Sequence, residues 1–303
     1  MTTADPDPYR LLDLALEVVA AAGATARAMQ PGVGGVSTKS TPTDVVTAAD
    51  RAVERQVVAA LRAARPDDRV LGEEYGASGA AGAGVEWVLD PIDGTVNYLY
   101  GLPNYAVSLA ARCGGEAVLG VVHDPVGGRW WTAVRGGGAY AGDRRLTGSP
   151  ATEPDRALIG TGFAYAAGTR ARQAAVLRAV LPRVRDIRRL GSAATDLCLA
   201  AEGALDGYYE AGLAPWDLAA GGLVAAEAGL LVTGLHGDPP GRAMVLAAPP
   251  ALHGPLHDLV ASATAAADAE AARDAEPARR GAEPAEPGAG AAQRGAGPAS
   301  GRR

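Results

Sequence analysis

Asp90 and Asp93 stand three residues apart in WVLDPIDGTVNY, residues 87–98, with Pro91 between them and Gly94 and Thr95 directly behind. Two carboxylates at the mouth of an apolar strand repel each other unless a cation sits between them. Ligands that are all oxygen suit Mg²⁺. Pro91 fixes its own φ and has no amide donor, so the strand 87–89 is expected to end there in a turn. Gly94 permits a close or unusual backbone path. A helix beginning near Thr95 would aim its free N–H groups at the same spot, which favours a phosphate. The chemistry indicated is a Mg²⁺ site that handles a phosphate ester. The plainer reading is that Asp-Pro and Asp-Gly simply close a β-turn. Spacing alone leaves both readings open. An EF-hand loop is excluded, since its Asp/Asn spacing and closing Glu are missing.

Other acids follow apolar stretches in the same way. Glu73 and Glu74 come after a short strand in RVLGEEYG, residues 69–76. Such a pair forms a solvated turn or supplies one metal ligand. Asp217, in APWDLAAGG, lies between a tryptophan and a helix. Its plain role is an N-cap, a position that can also face a cleft. Asp50 falls in the first turn of a helix expected at about 47–65, capped by Thr47, where an acid suits the helix dipole. Lys39 is a rare lysine in a chain whose bases are nearly all arginine. A lone loop lysine is ordinarily solvated. His123 reads as a strand-end residue. There is no Walker A loop and no Rossmann glycine fingerprint, so nucleotide-dependent transfer is unsupported.

The elements that must position these groups follow from periodicity. Residues 9–29 carry an apolar stripe at helical spacing, ended by Pro31 and glycines. Strands are expected at 106–112, 117–123 and 130–134, with a hairpin turn at 136–138. Past a boundary near 146–155 the pattern alternates. Strands are expected at 157–162, 186–190, 207–210, 230–232 and 243–247. Helices are expected at 170–181, 192–202, 218–228 and 250–264. This is an α/β arrangement, with one half at 1–147 and another at 148–264. Residues 77–85 read as a surface loop. Residues 265–303 are rich in Ala, Gly, Pro, Glu and Arg and read as a disordered tail.

Composition narrows the partners. The chain has 303 residues, 48% hydrophobic and 20% charged, with a net charge of −6. That balance argues against a nucleic-acid or anionic-membrane surface. Cys113 and Cys198 sit in separate apolar runs and read as buried free thiols, which fits a reducing cytoplasm. The acidic, polar N-terminus is wrong for a signal peptide, and no apolar run is long enough to span a membrane.

Four stretches taken together, WVLDPIDGTVNY, LGEEYG, TKSTPTDVVTAAD and PWDLAAGGLVAAEAG, resemble the inositol monophosphatase family, over roughly residues 9–262. The resemblance implies a layered α-β-α-β-α fold, Mg²⁺ dependence with two or three ions per site, inhibition by lithium, and a homodimer. It implies that Glu73, Asp90 and the Ile92 carbonyl hold one metal, and that Asp90, Asp93 and Asp217 hold another. Thr95 and Asp50 would orient the attacking water, with Glu73 counted in the catalytic set. Backbone groups of Gly94 and Thr95 would receive the phosphate. Glu210 would accept a substrate hydroxyl, Gly191, Ser192 and Ala193 would line the pocket opposite, and Lys39 matches a lysine near the site. Ala214 stands where many inositol-cleaving members carry histidine. The reaction expected is hydrolysis of a phosphate monoester, myo-inositol 1-phosphate first and histidinol phosphate or fructose 1,6-bisphosphate as alternatives. The pocket is expected to lack the basic or aromatic cluster that a nucleotide needs. A non-catalytic binding or regulatory protein on the same fold is the reading from another class, and the full set of acids with Thr95 argues against it.

Overall fold

The computed structural model describes residues 7–32, 36–39, 41–42, 44–79 and 84–280, with backbone alone for 274–280. Seven helices are described: α1 (Pro8–Met29), α2 (Ala48–Ala64), α3 (Thr95–Leu99), α4 (Ala167–Val180), α5 (Ala193–Glu202), α6 (Pro215–Glu227) and α7 (Pro250–Arg280). Two short strands, β1 (Ser37–Thr38) and β2 (Val45–Val46), pair antiparallel ahead of α2. A large sheet holds β3 (Arg69–Gly72), β4 (Gly76–Ser78), β5 (Val85–Asp93), β6 (Ala106–Cys113), β7 (Glu116–Asp124), β8 (Arg129–Val134), β9 (Gly138–Ala141) and β10 (Arg144–Arg145). Its order is β10-β9-β8-β7-β6-β5-β3-β4, antiparallel except where β3 runs beside β5. A second sheet holds β11 (Leu158–Thr161), β12 (Asp186–Arg188), β13 (Gly207–Glu210), β14 (Leu231–Thr233) and β15 (Val245–Ala248), in the order β12-β11-β13-β15-β14.

The layers follow from which faces are apolar. The buried stripe of α1, including Leu11, Ala15, Val19 and Ala26, meets α2 and one face of the large sheet. The other face of that sheet receives α5 and α6, which also cover the second sheet. The far side of the second sheet is closed by α4 and α7. The result is α-β-α-β-α, as the resemblance implies. Because α5 and α6 have sheets on both sides, they must be apolar all round, and every α5 residue from Ala193 to Ala201 is buried. Small residues let these layers approach. A Cβ on Gly120 of β7 would lie 2.8 Å from the Ala220 carbonyl of α6.

Four expectations change. The strand at 87–89 does not turn at Pro91 but runs to Asp93, with a register irregularity between Asp90 and Asp93. Residues 76–78, expected within or beside a loop, pair with β3 as an edge strand, while 80–83 lie outside the described residues. The last helix does not stop near 264. It continues to Arg280, because Ala267 is buried against the second sheet's helical layer and Asp268 and Glu270 pair with Arg172 and Arg178 of α4. The remainder of the expected tail, 281–303, lies outside the described residues. Cys198 is buried, but Cys113, at the end of β6, is only partly so.

Candidate active site

The irregularity in β5 assembles the acids. Along a regular strand, residues three apart point to opposite faces. Here Asp90 pairs with Ser108 and Asp93 with Ala106, so three steps on β5 match two on β6. The extra residue, beside a proline with no ladder donor to lose, turns both carboxylates to one side. Carboxylate oxygens of Asp90, Asp93 and Asp217 then all lie within 4.8 Å of one another. Asp90 Oδ1 accepts from the Ile92 amide at 3.0 Å. Asp93 Oδ2 accepts from the Ser192 hydroxyl and the Ala194 amide, each at 2.7 Å, which ties it to the start of α5. Asp217 is not the N-cap of α6. That position is Ala214, whose amide donates to Asp217 Oδ2 at 2.7 Å from one turn back.

All three carboxyls are pushed above the usual carboxylate range, first by burial, Asp93 to about 6. Their neighbours' negative charges raise them further. Among the described residues no lysine or arginine forms an ion pair with any of the three. Three oxygen-only donors without a protein counter-charge, Asp90 and Asp93 buried and Asp217 partly so, suit a hard divalent cation.

Next to this cluster the Thr95 hydroxyl stands 3.1 Å from both Asp50 Oδ1 and the Ile92 carbonyl, so it can donate to either and still accept. Asp50 is fixed from the other side by the Thr47 amide at 2.8 Å and the Thr47 hydroxyl. The cap expected at Thr47 is therefore half of a reciprocal box, and Asp50 is its other half. Burial raises the Asp50 carboxyl, and the bonds from Thr47 and Thr95 oppose that rise. Gly94 adopts φ 98°, and a Cβ there would meet the Asn104 and Gly191 carbonyls at 2.9 and 3.0 Å. Only glycine lets the backbone lead into Thr95 this closely.

Glu73 faces the same cavity but is not within the three-acid cluster. Lys39, the one lysine of the chain, reaches Glu73 Oε1 at 2.7 Å and Glu74 Oε1 at 2.5 Å. Burial works against the Lys39 charge, and the two glutamates override it and hold the ammonium above its usual value. Glu74 is pushed up to about 7, burial outweighing the lysine beside it. The turn carrying both is set by Glu54, whose carboxylate accepts from the Glu74 and Tyr75 amides at 2.8 and 3.0 Å.

A cavity of about 610 Å³ joins these groups. Lys39, Glu73, Asp90, Ile92, Asp93, Gly94, Thr95, Gly191, Ala193, Glu210 and Asp217 line it. Two expected site residues do not: Ser192 is turned inward to Asp93 and Thr195, and Asp50 lies behind Thr95. Glu210 Oε2 accepts from the Tyr208 hydroxyl at 2.6 Å and occupies the space that a Cβ on Gly162 would need. Burial first, then Asp93, pushes Glu210 up to about 7. The expectation of a wall poor in basic and aromatic groups is incorrect, since Arg172, Arg189, Arg242, Phe163, Tyr165 and Trp216 all line the cavity. Phe163 and Tyr165 share one loop and Arg189 and Arg242 stand on two others, whereas Arg172 is on α4 and Trp216 is on α6 beside Asp217. Asp196 was also missed. Its signal was an acid inside the otherwise apolar helix AATDLCLAA.

Clustered carboxylates beside a positioned hydroxyl and a helix start, in a cavity the size of a small organic ester, define a hydrolytic site for phosphate esters. The model of the inositol monophosphatase family matches residues 7–277. The chain is 45% identical over 272 residues to an inositol-1-monophosphatase of Mycobacterium leprae (strain TN), covering 83% of this chain and 94% of that one. It is similar to the crystal structure of extragenic suppressor protein suhB from Bartonella henselae, at a TM-score of 0.78 and 32% identity, covering 83% of this chain and 98% of that one. It is also similar to Mycobacterium tuberculosis SuhB, at a TM-score of 0.73 and 41% identity, covering 86% and 98%. This chain belongs to the inositol monophosphatase family, and the phosphatase expectation holds.

Proposed function

We propose that the chain hydrolyses small polyol phosphates, with myo-inositol 1-phosphate as preferred ester and Mg²⁺ as its metal. The observation that carries this is the meeting of Asp90, Asp93 and Asp217 within 4.8 Å, beside the Thr95–Asp50 pair. Asp90, Asp93, Asp217, Glu73 and the Ile92 carbonyl are the groups that would hold two or three Mg²⁺ ions. Bound there, the ions supply positive charge for the phosphate and its leaving oxygen and acidify water. The chain's own residues do the positioning. With its proton directed to Asp50, the Thr95 hydroxyl presents lone pairs to a water and fixes its line of approach. Asp50, held by Thr47, keeps that hydroxyl from rotating. The start of α3 and the αL turn at Gly94 offer backbone N–H groups to phosphate oxygens. Glu210 accepts a hydroxyl of the ester's polyol part at a distance from the phosphate.

The name of the Mycobacterium leprae relative supports the inositol ester. A cytoplasmic homodimer sensitive to lithium completes the reading, and no helix among the described residues is long and apolar enough to cross a membrane. The test is a comparison of myo-inositol 1-phosphate, histidinol phosphate and fructose 1,6-bisphosphate at saturating Mg²⁺, each with and without lithium. Preference for the inositol ester, suppressed by lithium, supports the proposal. Preference for histidinol phosphate would leave the mechanism standing and move the substrate.

A further inference from the structure

Asp196 belongs to neither the carboxylate cluster nor the Thr95–Asp50 pair, yet it lines the same cavity. It sits in the first half of α5, in the layer between the two sheets, where its neighbours Leu197, Cys198 and Ala200 are core residues. Its residual exposure is 1%. Its Oδ1 is buried and has no hydrogen-bond partner among the described residues. A buried carboxyl without a partner is unfavourable in an apolar layer, and every other position of this helix from 193 to 201 avoids a formal charge. No described group of the chain satisfies Oδ1, and the same carboxyl borders the cavity, where a ligand can.

Glu210 stands across from it on β13, against which α5 packs. The Tyr208 hydroxyl and the lack of a side chain at Gly162 hold Glu210 in place. Of the charged groups around Asp196, Glu210 acts on it most strongly, then Asp93, and Arg189 opposes them. Arg189 lines the cavity too. Two carboxyls reject an anion, and the adjacent guanidinium disfavours an added cation. Neutral hydroxyls suit the remaining space, because a carboxyl accepts from a hydroxyl when ionised and can donate to it when protonated.

We propose that Asp196 and Glu210 form a two-carboxyl subsite that engages a pair of hydroxyls on the polyol part of the ester, with Asp196 as a specificity-determining residue. This rests on the polyol-phosphate reading above and adds to it which side chains distinguish a polyol from an unsubstituted ring. The test compares kcat/KM for myo-inositol 1-phosphate with that for cyclohexyl phosphate, the same ring without free hydroxyls. Wild type, Asp196→Asn and Asp196→Ala are measured at saturating Mg²⁺, each with its melting temperature. Asp196→Ala is expected to lower the inositol-to-cyclohexyl ratio at least tenfold, mainly through KM for the inositol ester. Asp196→Asn keeps an acceptor and is expected to lie between. If Asp196→Ala does not fold, the ratio for Asp196→Asn decides, and a value within twofold of wild type overturns the subsite. Equal losses on both esters would mark Asp196 as merely structural and also overturn it. A wild type that does not prefer the inositol ester contradicts the polyol reading itself. An Asp196→Ala variant that keeps the wild-type preference contradicts only the subsite.

Discussion

Asp90→Asn takes one charge out of a cluster whose carboxylate oxygens lie within 4.8 Å of one another. At that separation two full charges repel by about 3 to 4 kcal/mol at an effective dielectric of about 20. Asp90 has two such neighbours, Asp93 and Asp217. Protonation limits the penalty, since keeping an aspartate neutral at pH 7.5 against a reference pKa of about 3.9 costs about 5 kcal/mol. The metal-free enzyme therefore carries a few kcal/mol of repulsion at neutral pH. Asparagine removes Asp90's share, and its own Oδ1 can still accept from the Ile92 amide. With relaxation and water access, the expected gain is about 1 to 3 kcal/mol, or roughly 2 to 10 °C in Tm for a chain of this size. The sign follows from the raised carboxyl. The folded state holds the proton above the pH at which the unfolded chain has lost it, so the wild type loses stability as pH rises from about 4. The variant's advantage should vanish below that pH and grow above it. The assay is thermal unfolding in a chelator and in millimolar Mg²⁺, with phosphate release in parallel. The wild type should gain Tm with Mg²⁺, while the variant should start higher, gain little and turn over nothing. A variant less stable than wild type in chelator at pH 7.5, or one with an unchanged Mg²⁺ response, would refute the reasoning.

Three further outcomes follow from the same geometry. Thr95→Ala should lower kcat by about 10² to 10⁴ through loss of the water's orientation, with KM little changed and the fold intact. Steady-state kinetics beside a melting curve checks this. Glu210 is raised from an ordinary 4.5 to about 7, first by burial. Its ionised form is thus disfavoured in the fold, at a cost that is absent below about pH 4.5 and complete above about pH 7, reaching about 3 kcal/mol. Glu210→Gln should therefore stabilise the metal-free protein more at pH 8 than at pH 5, as read by urea unfolding at both. Ending the chain after Thr264 removes buried Ala267 and the partners of Arg172 and Arg178. A Tm loss of a few degrees is expected, about 1 kcal/mol, most of it from packing because the ion pairs are exposed. An unchanged Tm would show that the extra turns of α7 add nothing.

The acids in contiguous motifs could be read directly because their neighbours constrain them. Asp90 and Asp93 flank a proline and precede a glycine, and Glu73 follows a short apolar strand. Thr47 and Asp50 have the spacing of a helix cap. What brings Asp90 and Asp93 to one side is less accessible, since a bulge is a property of the β5–β6 pairing and not of β5 alone. The reading of a turn at Pro91 took the local preference where the sheet overrode it. Asp217 looked like an N-cap because Asp is common there, and the structure moves it to the third helical position. The helix from 265 to 280 was hidden by a composition poor in large apolar groups, and its contacts are few: buried Ala267, and Asp268 and Glu270 paired with two arginines of α4. The arginines and aromatics of the cavity wall come from loops and from α4 and α6, far apart in the chain, so only the folded layers bring them together.

The central claim is that the Asp90, Asp93 and Asp217 cluster supports Mg²⁺-dependent cleavage of an inositol ester. Its most direct test is kcat/KM for myo-inositol 1-phosphate in wild type and Asp93→Asn, across a Mg²⁺ titration that starts from chelated protein. The account predicts no phosphate release without Mg²⁺, saturable activation in the wild type, and loss of activation in Asp93→Asn with its fold retained. Phosphate release that persists in chelator, or an Asp93→Asn enzyme activated like the wild type, would contradict it.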